Sequence, residues 1–278
     1  MKFFRELENP QLVVISLGAG VQSSVLALMA EEGCFSRKPD CAIFADTGWE
    51  PEGVYEHLEW LKTQLSFPVY TVQKGNIRDD LLNEDKNKNY RSAPFFTENG
   101  GMGRRQCTRE YKIEPIRKKE RELIGLKPRQ RAPKEPVVEV WIGISTDEMQ
   151  RIKESRDTWS HHRWPLIEKR MSRSDCQQWF AERHENRVLP RSACIGCPYH
   201  NDDEWRHMRD NDPVSWQDAI LFDKQLRTIE RKMENKEYVH RSLKPLDQVD
   251  LTTPADHGQV SFLDEWDGMC GMYMKDTS

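Results

Sequence analysis

Four short apolar runs set the strongest limit on what this chain can become. They are LVVIS (12–16), CAIFA (41–45), PVYTV (68–72) and VVEVWIGI (137–144). Each is nearly continuous in apolar residues, the pattern of a strand buried on both faces. Helical patterns fill the gaps, at 24–32, about 51–65 and about 108–124. Alternating strands and helices predict an α/β fold, a parallel twisted sheet with helices on both faces. Ligands of such sheets bind beyond the carboxyl ends of the strands. The stretches that matter for function are therefore SLGAGVQSS, DTGWEPE and GISTDEMQR.

The 278 residues suffice for one large domain, or one domain with an appendage. The expected division is an α/β domain over 1–160 and a helical, cysteine-bearing region over 161–278. Residues 83–107 turn polar and read as a long loop, a feature usually tied to function. SHHRW (160–164) reads as a basic loop. A helix capped near Ser172 or Ser174 follows it, then the cysteine loop CIGCP (194–198) and further helices. The net charge of −4 excludes a polycation. Residues 104–134 nevertheless hold twelve Lys or Arg against four Glu. That stretch is either a solvated helix face or a local track for a nucleic-acid backbone. LVVIS is too short for a secretory leader or a membrane span, so a cytoplasmic protein without membrane association is expected. Seven cysteines in that setting point to metal or redox chemistry. A homo-oligomer is expected.

The first run ends in a glycine turn that opens a helix. Strand, glycine turn and helix together place backbone N–H groups and a helix N-terminus around an anion. Gly18 and Gly20 give G-x-G, but Ser23 stands where a dinucleotide fingerprint needs its third glycine. That argues against a nicotinamide oxidoreductase. Ser16, Ser23 and Ser24 can donate hydroxyl hydrogen bonds to an anion. Asp46 ends the second strand, where it can accept from a ribose or adenine, hold a metal, or cap a helix. Lys112 and Arg151 can clamp phosphate or sulfate oxygens, or form surface ion pairs. CIGCP leaves three readings open. One is an iron–sulfur cluster on Cys107, Cys194, Cys197 and Cys270. The others are zinc, with His200 as a possible ligand, and a redox dithiol. Cys34, Cys41 and Cys176 lie in apolar or helical patterns and read as buried small hydrophobes.

Five motifs in order resemble a known family. They are SLGAGVQSSVL, ADTGWEPEGVYEHLEWL, CTREYKIEP, WIGISTDEMQR, and WPLIE followed by SDCQQWF. Cys107-Thr108, Lys112 and Pro115 match C-T-x-x-x-K-x-x-P, and Gly143, Glu148 and Arg151 match G-x-x-x-x-E-x-x-R. Over roughly residues 12–200 the chain resembles the phosphoadenylyl-sulfate (PAPS) reductases. These belong to the PP-loop ATP pyrophosphatase, or adenine nucleotide alpha-hydrolase-like, superfamily. The resemblance implies an adenine nucleotide, adenylyl sulfate or ATP, held by Ser16, Gly18, Gly20, Gln22, Ser23, Ser24, Asp46, Thr47 and Gly143. Lys112 and Arg151 would serve the reacting groups. Many pyrophosphatases of this superfamily carry Asp where this chain has Gln22, which places it nearer the reductase branch. Cluster-bearing relatives carry a Cys pair where this chain has Gln106-Cys107. The reductases end in Glu-Cys-Gly where this chain has Met269-Cys270-Gly271.

Three functions follow from the resemblance. The first is reduction of activated sulfate, with Cys270 as nucleophile if it is no cluster ligand and an electron-donor protein as partner. The second is a cluster-dependent, ATP-using sulfurtransferase acting on tRNA or DNA, supplied by a sulfur donor protein. The third is a non-catalytic nucleotide- or redox-sensing module.

Overall fold

The computed structural model describes residues 6–83, 91–229, 236–253 and 256. In chain order its elements are β1 (Leu12–Leu17), α1 (Val21–Glu31), β2 (Cys41–Asp46), α2 (Glu52–Gln64), β3 (Val69–Gln73), α3 (Ile77–Leu82) and β4 (Phe96–Thr97). A π-helix (Thr108–Ile113) then leads into α4 (Glu114–Leu123) and β5 (Val138–Ile142). A 3-10 turn (Thr146–Arg151) precedes β6 (Ser160–Arg163), α5 (Pro165–Glu168), α6 (Arg173–Ala181), α7 (Asp202–Asn211), α8 (Pro213–Thr228) and β7 (Glu237–Tyr238). No helix among the described residues is long and apolar enough to cross a membrane.

The chain divides into two compact units. The first takes in the described residues up to Asp46, then Glu50–Lys74 and Tyr111–Ser192. The second takes in Thr47–Trp49, Gly75–Glu110 and the described residues from Ala193. Residues 161–192 thus belong with the sheet, and three residues after β2 already belong to the second unit.

The first unit is an α/β layer structure. Its sheet runs β3-β2-β1-β5-β6, with every pairing parallel. The four apolar runs became β1, β2, β3 and β5. Side chains alternate along them, as strand geometry demands. Val13, Ile15 and Leu17 of β1 pack with Ala42 and Phe44 of β2 on one face, under Val25, Leu58 and Phe180 of α1, α2 and α6. Leu12 and Val14 join Cys41, Ile43 and Val140 on the other, under Ile116 of α4. SHHRW is not a loop: Ser160–Arg163 forms the edge strand β6, paired with Val138–Trp141. Its outer hydrogen bonds need no neighbouring strand, so it tolerates polar side chains.

Two features lock this unit. Arg163, 5% exposed at its side chain, gathers Glu6 (2.5 Å), Glu168 (2.8 Å) and Glu139 (3.6 Å). Glu139, fully buried in β5, also accepts from the Leu7 N–H and the Trp141 indole N–H, each at 2.7 Å. Secondly, α2 buries Val54, His57, Leu58 and Leu61, the i, i+3, i+4, i+7 stripe of a core-facing helix. His57 Nε2 meets Ser24 Oγ of α1 at 3.0 Å.

The second unit is held by aromatic packing. Trp49 lies 4.5 Å from Phe222 of α8, centroid to centroid, and Phe95 lies 5.7 Å from the same ring. Trp205 of α7 packs on Trp216 of α8 at 6.2 Å. β4 and β7 form a short antiparallel pair.

Two buried titratable groups make opposite demands on pH. Burial holds His57 down to about 4, below its ordinary 6.5. The fold keeps it neutral, so its contribution is complete above pH 6.5 and is lost as pH falls towards 4. Burial pushes Glu120 of α4 up to about 7, from 4.5, against the nearby Arg117. Its contribution is complete below pH 4.5 and is lost as pH rises to 7. Urea midpoints should separate the two. Glu120→Gln should gain over the parent at pH 8 and lose that gain at pH 4.5. His57→Gln should flatten the acid limb. Equal shifts at both pH values would contradict the assignment.

Candidate functional site

The first unit brings most of the sequence-predicted site residues to the carboxyl ends of β1, β2 and β5. α1 starts at Val21, three residues earlier than the sequence pattern predicts, so the helix N-terminus abuts the glycine turn. Gly20 is its N-cap and supplies no side-chain cap, which leaves the first-turn N–H groups for another acceptor. The turn is closed on itself: the Gly18 N–H donates to Ser23 Oγ at 3.1 Å. Ala19, fully buried, is held at φ 55°. That left-handed conformation costs a residue with a Cβ roughly 1–2 kcal/mol, so the surrounding packing must enforce it. Ser16 is half-buried near the end of β1.

Gly143, just past β5, permits the closest approach. A Cβ there would stand 2.8 Å from Ser23 N and Cα, so α1 rests directly on the end of the strand. Gly20 lies close to Ser192 in the same way, at 3.3 Å.

Side chains from three segments converge around Gln22, which is itself buried. Its amide donates to Ser145 Oγ (3.3 Å) and Glu148 Oε2 (3.2 Å) and accepts from Arg173 (3.0 Å). Glu148 in turn holds Arg151 at 2.5 Å. Lys112, on the π-helix, pairs with the buried Glu50 at 3.2 Å, and Ser192 donates to the same carboxylate at 3.1 Å. Lys112 and Arg151 keep about a third of their side chains exposed. Asp46 accepts from Tyr55 at 2.9 Å and from Gln73 at 3.4 Å. Burial first, and then the Asp46 carboxylate, push the Tyr55 phenol up.

Ser24 stands apart from this group. It is fully buried and spends its hydroxyl on His57. Successive helical residues point about 100° apart, so Ser23 and Ser24 cannot both face the turn. Arg173, Ser145 and Glu50 were not singled out from the sequence. The acidic-proline run around Glu50 was the available signal.

Thr47, Cys107, Cys194 and Cys197 all lie in the second unit. Thr47 is buried, with its Oγ1 3.4 Å from Cys194 Sγ. The Gln106 and Cys107 N–H groups both donate to Ser92 O at 2.8 Å. Arg105 lies 5.1 Å over the Tyr199 ring, which ties their segment to the residues after CIGCP. Trp49 fixes the cysteine loop. Its carbonyl accepts from the Ile195 N–H (2.9 Å), and its indole N–H donates to Asp218 (2.6 Å). A Cβ on Gly196 would fall 2.2 Å from the indole ring. Among the described residues no group of three or more His, Cys, Asp or Glu side chains is placed to hold a metal ion. Cys270 lies outside the described residues. Cys194 and Cys197 supply a pair of thiols in one turn. Cys41 and Cys176 are buried, and burial pushes both thiols up to about 12, as suits packing residues.

Within 104–134, Arg117 pairs with Asp157, Arg121 donates to Gln130 O, and Lys119 lies 4.6 Å over Tyr70. Lys118, Lys127, Arg129, Arg131 and Lys134 remain exposed in the first unit.

Gly196→Ala should displace the Trp49 ring and destabilise the protein by about 1–3 kcal/mol, the usual cost of overpacking. Thermal unfolding followed by tryptophan emission measures both effects. An unchanged melting temperature would contradict the contact.

No protein-family model matches the chain, and no curated protein matches it. Among solved structures it is similar to a phosphoadenylyl-sulfate (PAPS) reductase from Candida auris, described as a phosphate complex. The two share 14% identity over 65% of this chain and 74% of that one, with a TM-score of 0.42.

Proposed function

We propose that the chain is a PAPS reductase-like enzyme that binds an adenylyl nucleotide and carries out sulfur chemistry on it. The β1–α1 turn carries this reading. Its N-cap lacks a side chain, its first-turn N–H groups need an acceptor, and Gly143 and Gly20 keep side chains away from it. A phosphate or sulfate would take these N–H groups, with Lys112 and Arg151 supplying the balancing charge.

In the reductase reaction a cysteine thiolate attacks the sulfur of the activated sulfate. The sulfur–oxygen bond to the nucleotide phosphate breaks, and the nucleotide leaves with the bonding electrons. A second thiol then attacks the sulfonated cysteine and expels sulfite. One disulfide forms as the sulfate sulfur gains two electrons. Cys270 is the nucleophile that the tail motif suggests.

Titration calorimetry with adenylyl sulfate, PAPS and ATP tests the nucleotide site. Binding should weaken roughly tenfold or more in Gly143→Ala, about 1.4 kcal/mol. Sulfite release from adenylyl sulfate or PAPS under anaerobic conditions, lost in Cys270→Ser, would establish reduction. No binding of any of the three would refute the reading.

The exposed cations Lys118, Lys127, Arg129, Arg131 and Lys134 favour a second reading, sulfur transfer to tRNA or DNA with ATP as activator. It requires nucleic-acid binding that weakens as salt rises. Absence of binding at low salt would remove it.

A further inference from the structure

The cysteine loop carries a chemistry of its own, and the residues that shape it all lie in the second unit. Cys194–Ile195–Gly196–Cys197 is a closed turn: the Cys197 N–H donates to the Cys194 carbonyl at 3.0 Å. A turn of this kind holds its end Cα atoms within about 7 Å. A disulfide spans about 4.4–6.8 Å between Cα atoms, so the backbone is already in bridging range.

The middle of the turn is buried while its ends are not. Ile195, Gly196 and Pro198 are buried, whereas Cys194 and Cys197 are half-buried. Three contacts hold the frame. Trp49 binds the Ile195 N–H and packs on Gly196. His200 Nε2 meets the Cys194 carbonyl at 3.0 Å, and the His200 N–H donates to Cys197 O at 3.2 Å. Thr47 Oγ1 fixes the Cys194 sulfur at 3.4 Å. The two thiols therefore share a rigid turn that solvent can reach at both ends. The inert pair, Cys41 and Cys176, is buried.

We propose that Cys194 and Cys197 form a redox dithiol that exchanges with disulfides of small thiols or of partner proteins. One cysteine thiolate attacks a sulfur of the incoming disulfide. That S–S bond breaks, and the released thiolate takes a proton. The second cysteine then attacks the mixed disulfide and expels the other thiol. Two electrons and two protons leave the pair, one intramolecular disulfide forms, and the incoming disulfide becomes two thiols. The rigid turn makes the second step intramolecular, so the mixed disulfide is short-lived.

The test uses the full chain, purified anaerobically, treated with chelator and equilibrated in glutathione redox buffers. Acid quenching, maleimide labelling and peptide mass spectrometry then read each cysteine. Cys194 and Cys197 should lose reactivity together, at one midpoint, with no glutathione attached. Cys197→Ser should instead trap glutathione on Cys194. Two results overturn the proposal: each cysteine collecting glutathione separately in the parent chain, or both staying alkylatable across the whole range. A metal that survives the chelator and shields both thiols also overturns it, in favour of a metal centre. Nucleotide titration on the same samples keeps the two readings distinct, because a failed dithiol leaves binding intact.

Discussion

The first unit depends on a contact from which a side chain has been removed. α1 sits on the end of β5 because Gly143 offers no Cβ to Ser23, whose backbone nitrogen would otherwise meet it at 2.8 Å. That seating fixes the first turn of α1, and much follows from it. Ser23 Oγ comes within reach of the Gly18 N–H and closes the turn. Gln22, one residue earlier, is delivered to Ser145 and Glu148 in the segment after β5. A larger residue at 143 would loosen two segments far apart in sequence. Close approach of backbones is a use of glycine distinct from its freedom at positive φ.

The charged groups of this unit fall into two kinds. Arg163 is almost entirely withdrawn from water and faces three carboxylates, so its role is to neutralise Glu139 inside the fold. Removing one member of such a set strands a buried charge, which is far more costly than losing a surface pair. Lys112 and Arg151 are different: each is ion-paired to a carboxylate, yet about a third of its side chain stays exposed. The two kinds of cation differ in exposure rather than in pairing, since both are ion-paired.

Much of this was legible in the sequence because burial dictates composition. β1, β2 and β5 are apolar because both their faces are covered, and Cys41 and Cys176 were readable as core for the same reason; β3, at the sheet edge, is only partly covered. β6 was not legible: SHHR is polar, and only its place at the sheet edge makes it a strand. The two-unit division was equally hidden. Thr47–Trp49 leaves the first unit directly after β2 with no shift in composition to announce it. The candidate site was half legible. Motif spacing singled out Lys112, Gly143 and Arg151, but hydrogen-bond partners decide what a polar residue does. Ser24 looked equivalent to Ser23 until helical geometry turned it to His57. Gln22 reads in the sequence as part of the nucleotide loop, and the structure adds its hydrogen bonds to Ser145, Glu148 and Arg173, which the sequence did not announce.

Trp49 has a consequence for optics. Its indole is clamped by Asp218 at one end and lies flush against Gly196, inside the turn that Cys194 and Cys197 bound. Thiols and disulfides quench indole emission to different degrees and only at short range. The ring that shapes the cysteine turn is therefore also a native fluorophore beside it, a reporter on the turn that needs no added dye.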